Sequence, residues 1–391
     1  MRRTTHRKLI TKPLWRKWLV PYIAMLGPAR QKFVQQAVHG ILACGSLILS
    51  EMARSLRETS TRFLYVLKRF SRQLGSKAWD PSVLHAEVLE RNAAWVYQDT
   101  PVMVDLSEIA KPYARRMPHL CTVRDASSTD KRKTPGYWLV EAYAEPSPRM
   151  LVPLLLVLFS TRQRRFLSQN HVVLEALERL HTLLGDRGIF LFDRGFDART
   201  FLHPLLDWRR RFVVRLRDSR DLVCPDGTKR RVARLALQLV RPADHYGTVR
   251  TTLVQLPRRS ERLLFVATPH KPNDPRPIKL LAWLGEDDTD LRQAQHVRHL
   301  YLRRWRAEDG IRFLKTGLGL ERVRVMNWRR LQHLMALALL AMTVIALACD
   351  EPCHWRTELI RTGRSRRVKA DFLFYRILRG IAHLLLRYPL L

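Results

Sequence analysis

Cysteine is scarce in this chain, with five in 391 residues: Cys44, Cys121, Cys224, Cys349 and Cys353. The odd count and the lack of any CxxC pair argue against a disulfide framework and against a zinc site. Cys349, Cys353 and His354 cluster, but without partners at zinc-finger spacing. Long apolar runs are missing too. Leu151 to Phe159 is far too short to span a bilayer. Leu334 to Cys349 reaches 16 residues, rich in Ala and Met, and reads as a buried helix. The basic start MRRTTHRKLI is not followed by a signal-peptide core, and there is no internal repeat or low-complexity tract. These absences predict a soluble, cytoplasmic protein without a membrane partner. Acid is the other shortage: 35 Asp and Glu stand against 70 Lys and Arg, a net charge of +35. So large an excess repels itself unless a polyanion is present. Much of it is Arg, whose planar fork suits phosphate oxygens, so nucleic acid is the expected partner, and a nucleoid-associated location follows.

What is present is enough for a large core, since 46% of the residues are hydrophobic. Residues 1–95 read as helical. Phe33 to Ile48 is apolar, and Ser50 to Leu74 alternates basic and apolar residues at helical spacing, with Thr59 or Ser60 as a cap; this is a DNA-binding region by composition. From residue 96 the period changes. Pro101 to Asp105, Tyr137 to Tyr143, Met150 to Phe159 and Gly188 to Asp193 read as strands. Asp125 to Gly136 reads as a loop, and Asn170 to Leu184 and Asp197 to Trp208 as helices. Strand–helix–strand order predicts an α/β core over 96–209. Residues 210–289 read as a β-rich insertion, with strands at Phe212 to Leu216, Val232 to Val240, Val249 to Leu256 and Leu263 to Thr268. Turn signals lie at Asp226-Gly227, Tyr246-Gly247 and Pro269 to Pro277. A helix resumes at Asp290 and ends at Gly317 and Gly319. The core closes with a long apolar helix over 327–349, and 351–391 is a basic helical tail containing Arg361 to Lys369.

Two patterns carry chemistry. On one continuous helix, Tyr301, Arg304, Glu308 and Lys315 fall within an arc of roughly 60°. A carboxylate, two cations and a phenol then share a face, as a metal ion beside phosphates requires. Separately, Asp105 and Asp193 each close a predicted strand. With Glu308 they form a set of hard oxygen donors suited to Mg2+ or Mn2+. Each acid also has a plainer use: a strand-end Asp caps turns, and Glu308 can pair with Arg304 or Arg312 one turn away.

The helical spacing Tyr-x2-Arg-x3-Glu-x6-Lys, within YLRRWRAEDGIRFLKTGLGLERVRV, resembles the signature of the IS4-type DDE transposases. Asp105 in VMVDLSEIAKPYA and Asp193 in IFLFDRGFD are similar to the blocks holding the family's first two acids, and the β-rich stretch falls where that family carries an insertion. The resemblance runs from about residue 40 to 350. It implies an RNase H-like core and Mg2+- or Mn2+-dependent cleavage of double-stranded DNA at inverted terminal repeats, followed by strand transfer. Asp105, Asp193 and Glu308 would be the catalytic metal ligands. Arg304, Lys315 and Tyr301 would contact phosphates at the transposon end, as would Arg194. The resemblance also makes Trp283 a candidate platform for a flipped base, with core packing as its plainer use, and implies that two chains would hold the two ends as a homodimer. Two other functions share these features: a DNA-binding relative without turnover, and an RNase H-like nuclease without strand transfer.

Overall fold

The computed structural model describes residues 17–58, 61–124, 133–241, 243–269, 277–285, 293–350, 353–363 and 372–387. The Thr59 or Ser60 cap, most of the Asp125 to Gly136 loop, the interior of the Pro269 to Pro277 turn, the helix start at Asp290 and most of the Arg361 to Lys369 tail lie outside them. In chain order come α1 (Pro28–Cys44), α2 (Leu49–Ser55), α3 (Phe63–Gly75), α4 (Pro81–Ala93), β1 (Pro101–Ala110), β2 (Cys121–Arg124), β3 (Lys133–Ser147) and β4 (Met150–Phe159). Then follow α5 (Gln169–Leu184), β5 (Ile189–Phe192), α6 (Arg199–Asp207), β6 (Phe212–Arg215), β7 (Asp221–Val223), β8 (Lys229–Arg231) and α7 (Val232–Leu239). The chain continues with β9 (Arg250–Val254), β10 (Leu263–Pro269), β11 (Pro277–Trp283), α8 (Ala294–Arg303), α9 (Trp305–Arg312), α10 (Trp328–Asp350), α11 (Cys353–Thr362) and α12 (Leu373–Arg387). Strands β1, β3 and β4 precede a helix, and parallel β5 and β6, joined by α6, follow it. This mixed sheet with flanking helices is an RNase H-like α/β fold, as the sequence leads one to expect.

The chain forms two compact units. The first comprises Met1–Trp95, Leu106–Gln169 and Asp309–Leu391. Its helices start and stop where local chemistry dictates. Asp80 caps α4 by accepting the Ser82 N–H at 2.9 Å, with Pro81 just inside, and Gly45 closes α1 in the left-handed region at φ 63°. Strands β3 and β4 pair antiparallel and are buried along nearly their whole length, because α4 and α10 pack on β4. Helix α10 is apolar all round, which marks a core helix. By length and composition it would also pass for a membrane span, as would α1 and α2 taken together across their 94° bend, but 89% of the apolar window of α10 is buried in the fold. One polar network is sealed inside: Asn92 accepts the Tyr22 hydroxyl at 2.9 Å and donates to the Pro153 carbonyl and the Thr343 hydroxyl.

The second unit comprises Val96–Asp105 and Asn170–Glu308. Its strand order is β1-β5-β6-β11-β10-β9. β1, β5 and β6 run parallel, with Met103 beside Leu191 and Leu191 beside Val213. β6, β11, β10 and β9 are antiparallel neighbours. Helix α8 packs on β5, β6, β10 and β11.

Three details differ from the sequence reading. Val232 to Val240 is not a strand but helix α7. Val232, Leu235, Ala236 and Leu239 recur at i, i+3, i+4 and i+7, and the first three are buried. Strand β11 follows the Pro269 to Pro277 turn and was not expected. The helix carrying Tyr301 to Lys315 is not continuous. Arg304 N–H bonds back to the Tyr301 carbonyl, tightening the chain at Arg304, and a π-helical turn occupies Phe313–Gly317, where Leu318 N–H reaches the Phe313 carbonyl at 2.8 Å. The roughly 60° arc drawn for a regular helix therefore does not extend to Lys315.

Candidate active site

The parallel pairing of β1 and β5 sets the first two acids. The last paired residues are Met103 and Leu191, and Asp105 and Asp193 each follow two positions later. Because strand side chains alternate, both carboxylates leave the sheet on the same face as Met103 and Leu191. Asp193 follows the carboxyl end of β5, whereas Asp105 lies midway along β1, which continues to Ala110, so Asp105 does not close its strand as the sequence predicts. β5 is buried at all four residues and stops at Asp193, which is only half-buried. There the Asp193 carboxylate accepts the Gly195 N–H at 2.7 Å and turns the chain into the short 3-10 segment Arg194–Phe196. One carboxylate oxygen is thus used locally.

Arg304 joins the remaining acids. Its guanidinium lies 3.6 Å from Asp105 and 3.0 Å from Glu308, and its side chain is only 7% exposed. Burial works against its charge, but Asp105, Tyr301 and Glu308 outweigh burial and raise the Arg304 pKa above its ordinary value. Asp197, close in sequence to Asp193, is a different kind of acid: it is 2% exposed and accepts the Arg217 N–H at 2.7 Å and Arg220 Nε at 2.6 Å, so it fastens the turn instead of presenting oxygens.

The companion residues divide. Arg194 is exposed beside Asp193. Tyr301 is 2% exposed, with its ring 5.9 Å from the Arg304 guanidinium. Trp283 is 7% exposed and sits opposite Phe212 in the β11–β6 pair, so its ring is packed in the core and not presented to a base. Lys315 lies in the first unit, where its ammonium meets Glu108 at 3.1 Å; both side chains are largely buried. Glu108 was not singled out in the sequence. Its signal was the length of β1, which runs on from Asp105 to Ala110 and carries an acid near its end. In the same unit Gly310 lets α9 approach β3 closely: a Cβ there would come within 2.7 Å of the Tyr143 ring.

Among the described residues no three His, Cys, Asp or Glu side chains stand together as a ready-made metal cage. The donor chemistry nonetheless fits Mg2+ or Mn2+. All three donors are carboxylates, and two of them follow the last paired residues of adjacent parallel strands. Mg2+ is held in this manner, by one or two carboxylates with water and substrate phosphates completing the shell.

Residues 164–344 match the family model of the transposase DDE domain, which supports a transposase of the DDE type. The matched stretch contains Asp193, Tyr301, Arg304, Glu308 and Lys315. Among solved structures, the piggyBac transposase synaptic complex with hairpin DNA is similar to this chain, at 12% identity and a TM-score of 0.47, over 96% of this chain and 79% of that one. No curated protein matches.

Proposed function

We infer that this chain is a DDE transposase of the IS4 type, cutting DNA at inverted terminal repeats and joining the released ends to target DNA. The observation that carries the reading is the placement of the acids: Asp105 and Asp193 each lie two positions past the last paired residues of adjacent parallel strands, and Arg304 ties Asp105 to Glu308. The family match over 164–344 supports the same reading.

Asp105, Asp193 and Glu308 would hold Mg2+ or Mn2+. Bound there, such ions polarise the scissile phosphate and activate water or a 3′-hydroxyl. Arg304 keeps Asp105 and Glu308 in place and offers a guanidinium to the phosphate when DNA arrives. Arg194, exposed next to Asp193, holds a neighbouring phosphate, and Tyr301 backs Arg304 from the core. Lys315 would contact a DNA phosphate in its own right. These contacts position the backbone without reading sequence. The two ends of an element must be held together, so the acting form is a homodimer on DNA in the cytoplasm, at the nucleoid.

The test is cleavage of linear DNA carrying the inverted repeats that flank this reading frame, with Mg2+ or with EDTA. Wild type cuts at the repeat end only with metal, and Glu308→Ala binds the same DNA without cutting. Binding without cleavage by wild type under every metal condition would instead identify a DNA-binding relative that has lost turnover.

A further inference from the structure

The first unit holds a cleft of about 1210 Å3 between the segment that follows β1 and the segment 321–326. Its floor is apolar, built from Leu47, Ile48, Leu67, Met117, Val323 and Val325. Its rim is cationic: Arg115, Arg116, Arg322 and Arg324 all line it and are all exposed. Among the described residues none of these four guanidiniums is in an ion pair, unlike Lys315 with Glu108. Tyr113 stands at the edge, 86% exposed, the most exposed large apolar side chain described, and Met326 is 56% exposed.

The cleft is held in shape. Lys111, only 4% exposed, donates its ammonium protons to the carbonyls of Leu320, Glu321 and Val323 at 2.5, 2.9 and 2.9 Å. That clamp ties the end of β1 to the opposite wall, so the arginines are presented from two segments fixed to each other. An apolar ligand would leave four cations unanswered. A duplex would offer phosphates but keep its bases stacked inside, away from the floor and from Tyr113. An unpaired strand offers both chemistries at once: phosphates for the rim, and base faces for the ring and the floor.

We propose that this cleft binds single-stranded DNA, with Tyr113 stacking on a base and Arg115, Arg116 and Arg324 contacting the phosphates on either side. The choice of DNA rests on the transposase reading; the single-stranded form rests on the exposed ring, the apolar floor and the unpaired arginines. No acid of the active site takes part.

The experiment is fluorescence anisotropy on the full chain, with a labelled 15-mer of thymidines and, in parallel, a hairpin duplex. Stacking on one base is worth about 1–3 kcal/mol, so Tyr113→Ala weakens binding of the 15-mer roughly 5- to 150-fold and leaves duplex binding unchanged. Tyr113→Phe keeps the ring and binds as wild type does. Replacing both Arg115 and Arg116 by Gln flattens the salt dependence for the 15-mer by about 1.4 in log–log slope, two contacts' worth for a single strand. The proposal is overturned if Tyr113→Ala binds the 15-mer normally, if it loses single-stranded and duplex DNA equally, or if polyglutamate displaces the 15-mer as well as unlabelled 15-mer does. The transposase reading stands or falls separately. Metal-dependent cleavage with normal 15-mer binding by Tyr113→Ala rejects only the cleft, and Tyr113-dependent binding without any cleavage rejects only the enzyme.

Discussion

Lys315 donates to Glu108 at 3.1 Å, so a cation assigned to DNA already has a protein anion as its partner. If Lys315 takes the phosphate contact proposed for it, DNA competes with Glu108 for its ammonium. Glu108→Gln removes that competitor and keeps the hydrogen-bond acceptor. The variant is expected to bind duplex DNA several-fold more tightly, with a salt slope steeper by about 0.9, the value for one added phosphate contact. Titration of wild type and variant across a range of salt concentrations reads this; superimposable slopes would mean that Lys315 does not reach DNA.

Arg304 is buried between two carboxylates, and its removal takes away the guanidinium that Asp105 and Glu308 share. The guanidinium is buried but its two partners are partly exposed, so the loss is smaller than for a fully buried pair, and Arg304→Gln should melt below wild type. The same substitution exposes the carboxylates to any cation that fits them. Millimolar Mg2+ should therefore raise the melting temperature of Arg304→Gln more than that of wild type, and differential scanning fluorimetry with Mg2+ and with EDTA measures both effects. An equal Mg2+ response in the two proteins would separate Arg304 from the metal-binding acids.

Burial in α1 pushes the imidazole of His39 down from 6.5 to about 4. The folded chain then refuses a proton that the unfolded chain accepts. This contribution to stability is complete above pH 6.5 and is lost as pH falls toward 4, a change of about 3 kcal/mol. Burial lowers the His333 pKa in the same direction. Thermal melts at pH 7, 5.5 and 4.5 should show a shallower decline for His39→Gln than for wild type. Parallel declines would assign the acid sensitivity elsewhere.

How far the sequence foretold these features follows from where each signal resides. The end of β5 is legible because its short apolar run is cut off by Asp193, whereas β1 continues past Asp105 to Ala110, since the alternation of Leu106, Ser107, Glu108 and Ile109 gives no apolar run to extend. The apolar run of α10 was legible as a core helix because no face of it is polar. The break at Arg304 was not legible. The spacing of Tyr301, Arg304 and Glu308 fits a regular helix, and the π turn at Phe313–Gly317 leaves no trace in residue type. Helix α7 was misread because VARLALQL is short and almost wholly apolar, so strand and helix periods compete within it. Glu108 and Lys111 were passed over because their partners, Lys315 and the carbonyls of residues 320–323, lie some two hundred positions away, and pairing at that distance is decided by packing.

The central claim is that Asp105, Asp193 and Glu308 are ligands of one metal site. Its most direct test is Mn2+ binding to the DNA-free protein, followed by electron paramagnetic resonance, in wild type and in Asp105→Asn, Asp193→Asn and Glu308→Gln. The account predicts that each substitution, made singly, weakens Mn2+ binding while the variant still melts cooperatively in EDTA. A variant of any one of the three that binds Mn2+ as wild type does would take that residue out of the site and contradict the claim.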